Sequence, residues 1–202
     1  MLSDRTFFEL EAKETHLCFA SIFGNDNPVY IEIGSGKGEF ISQYPRLHPE
    51  WNFLGFEVRG KRINNILKKL DPKLNANVRI IRQLIDSAIT KIIPPESVHG
   101  VFVQHPDPWP KKKHHKRRLI QQDFLDALAS ILISGAQVQV STDHDEYANW
   151  IAEEFCLNPN FLCLHDQPIQ STPSLDIHIV TWFEQEQKRL GFEPNFMLFQ
   201  KI

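Results

Sequence analysis

No stretch of this 202-residue chain is apolar for long enough to cross a membrane, and no long apolar run follows Met1-Leu2-Ser3-Asp4-Arg5. Neither a membrane span nor a signal peptide is therefore expected. The three cysteines, Cys18, Cys156 and Cys163, contain no CxxC pair and leave an odd count, so reduced thiols in a cytoplasmic setting are the simplest reading. His114 and His115 are adjacent, and no second His/Cys cluster stands ready to complete a metal site; no metal is expected. Excess positive charge is absent overall, the formal net charge being -3. Internal repeats, low-complexity tracts and linkers are also missing. Residues 1–202 read as one domain, with 1–27 as a polar, aromatic-containing lead-in, and the 42% hydrophobic share suffices for one sizeable core.

What is present is an alternation of strand and helix signals. Val29 to Ile33 reads as a strand, Gly34 to Gly38 as a tight turn, and a helix follows from Glu39. Asn52 to Val58 is a second strand, and Ile63, Ile66, Leu67 and Leu70 place one apolar face on the next helix, closed by Pro72. Strands follow at 77–81, 97–104 and 136–140, with helices through Ile120, Phe124, Leu128 and Ile131 and from Tyr147 to Phe155. A helix is expected within 7–22 and another near 181–190, and Asn195 to Phe199 reads as a closing strand. This pattern predicts an α/β fold with a doubly wound and mostly parallel sheet.

The turn Glu32-Ile33-Gly34-Ser35-Gly36-Lys37-Gly38 lies between a strand and a helix, where glycine lets backbone approach a ligand. Its spacing is GxGxG, not the dinucleotide GxGxxG. Glu57, 19 residues past Gly38, can accept both hydroxyls of a ribose. A ligand with an adenosine ribose and no pyrophosphate fits, and S-adenosylmethionine is one. Glu32, Glu57, Asp107 and Asp143 each fall at or just past the carboxyl end of a different strand, the edge that carries the ligand crevice in such sheets.

The fourth strand runs into His105-Pro106-Asp107-Pro108-Trp109-Pro110, where three prolines restrict the backbone around one acid. Lys111 to Arg118 follow at once. They hold six of the 22 Lys+Arg and no acid; elsewhere 16 basic residues face 25 acidic ones, a balance of -9. A focused basic patch on an acidic protein suits a phosphate backbone. A solvated charge run or a nuclear import signal is the bland alternative.

These segments, with Gly55-Phe56-Glu57-Val58-Arg59, Ser141-Thr142-Asp143 and Thr181-Trp182-Phe183-Glu184, resemble the bacterial tRNA (guanine-N7)-methyltransferase family over about residues 28–200. The resemblance implies a Rossmann-like class I methyltransferase fold, whose doubly wound and mostly parallel sheet carries an antiparallel C-terminal strand, and methyl transfer from S-adenosylmethionine to N7 of the tRNA guanosine at position 46. It implies a cofactor site of Glu32, Gly34, Gly36, Gly38, Glu57, Leu84 and Asp107, with Asp107 also catalytic. Lys111, Asp143, Thr181, Trp182, Phe183 and Glu184 would contact substrate, and Lys113, His114, His115, Lys116, Arg117 and Arg118 the tRNA. A monomer or homodimer is compatible with it. Three positions depart from the family pattern: Leu84 stands where an Asp or Asn is usual, His105 replaces an aromatic, and Trp182 replaces a Lys. A methyltransferase acting on a base amine or on protein, and a non-catalytic RNA-binding protein of this fold, are the competing readings.

Overall fold

The structure is a computed structural model that describes residues 2–11, 15–175 and 177–202. Eight strands form one sheet: β1 (Glu9–Leu10), β2 (Val29–Ile33), β3 (Asn52–Phe56), β4 (Val78–Ile81), β5 (Val98–Gln104), β6 (Leu132–Thr142), β7 (Phe161–Cys163) and β8 (Asn195–Lys201). Their order is β1-β4-β3-β2-β5-β6-β8-β7. Pairings from β1 through β6 are parallel, and β8 runs antiparallel to both β6 and β7. Strand order reverses between β2 and β5, so the crevice of this fold opens at the ends of those strands.

The helices are α1 (Leu2–Phe8), α2 (Phe19–Phe23), α3 (Glu39–Leu47), α4 (Gly60–Lys69), α5 (Gln122–Ile131), α6 (Asp145–Leu157) and α7 (Trp182–Arg189). Alternation along the strands feeds two apolar layers, one on each face of the sheet. Val101 and Val103 join Ile31, Ile33, Leu54 and the inner faces of α5 and α6; Phe102 joins Phe53, Ile80 and the α3–α4 residues Phe40, Ile41, Ile63 and Ile66. Gly38 caps α3 at φ +84, and a Cβ there would sit 2.7 Å from Ile66 Cγ1. Glycine there lets the turn pack closely against α4, behind the Gly34 and Gly36 segment that lines the cleft.

The helix expected within 7–22 is not continuous. Helix α1 stops at Phe8 because Glu9 and Leu10 pair with Ile80 and Ile81 of β4, and helix resumes only at Phe19. Residues 12–14 of that segment lie outside the described residues. The fifth predicted strand is longer than 136–140: it starts at Leu132, pairs there with Val98, and shifts register before Gly100.

Candidate active site

The four rim carboxylates do converge on the carboxyl edge. Glu32 is the next-to-last residue of β2, Glu57 directly follows β3, Asp107 follows β5, and Asp143 follows β6. Two clefts of about 420 and 540 Å³ open there, and Gly34, Arg62 and Gln104 to Asp107 line both. Asp107 is exposed at their junction.

The turn that carries it is tighter than three prolines alone require. His105 and Trp109 have φ of +49 and +43, left-handed values that non-glycine residues seldom adopt. Such strain persists where surrounding structure enforces it. Here His105 N donates to Ser141 O at 2.8 Å, and its Nδ1 lies 3.3 Å from Asp143 Oδ1. The ring also meets Phe183, with centroids 5.0 Å apart. Burial opposes the Asp143 carboxylate, but the His105 hydrogen bond and charge outweigh it and bring its pKa below the usual carboxylate range.

Arg118 holds the other end of the turn. Its Nε donates to Pro108 O at 2.9 Å, its Nη1 to Glu146 Oε1 at 3.1 Å, and its guanidinium lies 4.8 Å from the Tyr147 and Trp150 ring centroids. Its side chain is 0% exposed. Arg118 therefore cannot serve as an RNA-phosphate contact; a planar, fully engaged guanidinium fastens the Asp107 turn to α6. Lys111, Lys113, Lys116 and Arg117 stay exposed, with Arg117 over the Trp109 ring, while His114 and His115 pack edge-on against Trp109 and Trp150. Lys111 lies outside both clefts.

In the first cleft Glu32 is 3% exposed. Gln104 Nε2 donates to its Oε1 at 3.4 Å, and its Oε2 is buried without a hydrogen-bond partner among the described residues. Burial pushes this carboxyl up to about 8, and the charges of Glu39 and Glu57 add to the shift; the nearby Ser35 hydroxyl opposes it without reaching hydrogen-bond geometry. Lys37 lies over the Trp182 ring and joins the glycine turn to α7 across this cleft. Thr181 caps the N-terminus of α7: its Oγ1 accepts from Glu184 N at 3.2 Å. Glu184 is 1% exposed, is paired with His178 at 2.8 Å and Lys188 at 3.0 Å, and lines neither cleft. In this structure its carboxylate anchors the first turn of α7 to His178 and Lys188. Thr181, Trp182 and Phe183 remain on the wall.

In the second cleft Glu57 accepts from Gly36 N at 3.0 Å and from Arg59 N at 2.8 Å, which ties the glycine turn to β3. Leu84 lines this cleft and is 66% exposed, offering no polar group. Its neighbour Gln83, overlooked in the sequence, also lines the cleft, and its Oε1 is buried without a partner among the described residues. The only sequence signal for it was adjacency to the departed position. Gly34 has φ +82 and a Cβ there would meet nothing within 4 Å, so the turn faces open cleft. An unpaired acid, a strand-end carboxylate, a free amide and a bare glycine turn suit a cationic adenosine derivative. No group of three or more His, Cys, Asp or Glu suited to a metal occurs among the described residues.

This fold and this rim define a Rossmann-like methyltransferase. Residues 26–195 match the family described as "Putative methyltransferase". The chain is 36% identical over 185 residues to a tRNA (guanine-N(7)-)-methyltransferase of Nitrosospira multiformis, covering 92% of this chain and 80% of that one. It is 32% identical over 195 residues to the Neisseria meningitidis serogroup B enzyme of the same name, covering 96% and 81%. The chain belongs to the tRNA (guanine-N7)-methyltransferase family. Among solved structures it is similar in fold to the 16S rRNA methyltransferase KamB, with TM-score 0.64 and 13% identity over 91% of this chain and 92% of that one. It is also similar to a geranyl diphosphate C-methyltransferase of Streptomyces coelicolor solved with S-adenosyl-L-homocysteine, with TM-score 0.58, 11% identity, and 88% and 75% coverage.

Proposed function

We propose that this protein methylates N7 of the guanosine at position 46, in the variable loop of tRNA, with S-adenosylmethionine as donor. The observation that carries this reading is the placement of Asp107. It stands exposed in a strained turn where the two clefts meet, and the exposed Lys113, Lys116 and Arg117 follow within ten residues. When bound, S-adenosylmethionine supplies a methyl group activated by a sulfonium.

Glu57 would hold the ribose hydroxyls and Glu32 the cationic amino-acid end. Gln83 would offer its amide to the adenine edge, where Leu84 has nothing to give. Guanine N7 has a lone pair and no proton, so the attacking atom needs no base. The base becomes cationic as it reacts. A carboxylate fixed beside it lowers the barrier by orientation and by opposing that charge. Asp107 would do both by accepting from guanine N1–H or the exocyclic amine. Asp143, kept ionised by His105, adds negative charge on the same wall. Trp182 and Phe183 form an aromatic side of the first cleft against which the base would stack.

The test is incubation with labelled S-adenosylmethionine and total tRNA, followed by nucleoside analysis. Label in 7-methylguanosine is expected. Label on an exocyclic amine, or in protein, would overturn the reading.

A further inference from the structure

Cys156 is the next-to-last residue of α6 and Cys163 ends β7, with a tight turn between them in which Phe161 N donates to Asn158 O at 3.2 Å. The Asn158 amide fixes that turn by donating to Gln122 Oε1 and Asp126 Oδ1, both at 2.9 Å. The two Sγ atoms lie 2.8 Å apart, between the roughly 2.05 Å of a disulfide bond and ordinary non-bonded contact. Both thiols are free, Cys156 exposed and Cys163 half-buried. Neither lines the clefts of the active site. No third metal-binding side chain joins them among the described residues.

We propose that Cys156 and Cys163 are a reversible redox-modification site that takes a small disulfide, such as oxidised glutathione, and closes to an intramolecular disulfide. The Cys156 thiolate, the exposed one, attacks one sulfur of the small disulfide and expels one thiolate. Cys163 then gives up its proton, attacks Cys156 Sγ, and expels the second thiolate. Two protein thiols are oxidised and one small disulfide is reduced to two thiols. Burial, with the hydrogen bond and charge of Cys156 adding to it, pushes the Cys163 thiol up to about 12. Capping Cys156 removes those two contributions and frees Cys163 for the second step. Cys18 has a different fate. The Ser21 hydroxyl lowers its pKa, but no second sulfur stands near it, so it accepts an adduct without resolving it.

The test uses the full chain carrying Cys18→Ser, treated with oxidised glutathione and read by intact mass and peptide mapping. The expected product is two hydrogen masses lighter, linked between 156 and 163, and restored by dithiothreitol. Adding Cys163→Ser should instead trap one glutathione on Cys156. Closing so short a loop should raise the melting midpoint by roughly 5 °C, with S-adenosylhomocysteine affinity unchanged. Both thiols remaining alkylatable, or a stable glutathione adduct on Cys156 beside an intact Cys163, would overturn the proposal.

Discussion

Asp107→Asn separates orientation from binding. The amide keeps the shape but loses the charge, so turnover should fall about 100-fold or more while tRNA and cofactor affinities change little. Turnover at the wild-type rate would remove Asp107 from the chemistry. Glu32 makes a pH prediction with a definite sign. Its carboxyl ionises near 4.5 when unfolded and about 8 when folded, so the folded chain pays a growing penalty as pH rises from 4.5 to 8. Glu32→Gln should therefore melt higher than the parent at pH 9 without ligand, and the same at pH 4. A cationic cofactor reverses the preference. Binding should release a proton and weaken by up to about tenfold per unit as pH drops below 8; calorimetry showing pH-independent affinity from 6 to 8 would contradict this. Gln83→Leu should weaken S-adenosylhomocysteine binding about tenfold, the worth of one hydrogen bond. At this scale the carboxylates were legible because each sits at a strand end, a place periodicity can locate. Gln83 and the His105–Asp143 pair were not, because side-chain contacts across 38 residues leave no local pattern.

Among the elements, the basic segment divides into two jobs. Lys113, Lys116 and Arg117 are exposed, and replacing all three with Ala should flatten the dependence of log affinity for tRNA on log salt by roughly 2 to 3 units. Arg118→Ala should leave that slope alone, lower stability by about 2–3 kcal/mol, and slow turnover by loosening the Asp107 turn. Denaturant titration and a salt series on the same two variants measure both. Six Lys and Arg within eight residues look alike in a sequence; only the packing of Tyr147 and Trp150 against Arg118 distinguishes it. The long strands and amphipathic helices were readable because they repeat their pattern several times. β1 and β7, two and three residues long, have no period to read, and β1 is what interrupts the helix expected within 7–22.

The whole molecule brings two clefts and an exposed basic segment together around one strained turn, at the point where strand order reverses. Its mostly parallel sheet followed from strand–helix alternation; the apolar run after the last helix marks β8 as a strand but carries no sign of its antiparallel direction. The residual acidity of the surface, -9 outside the basic cluster, should keep bound RNA on that one face. The measurement that tests this most directly uses two tRNA transcripts that differ only at position 46, guanosine or adenosine, methylated under the same conditions and mapped by chain cleavage at 7-methylguanosine. Cleavage at position 46 of the first transcript and none in the second is the predicted result. Cleavage elsewhere, or equal methylation of both transcripts, would contradict it.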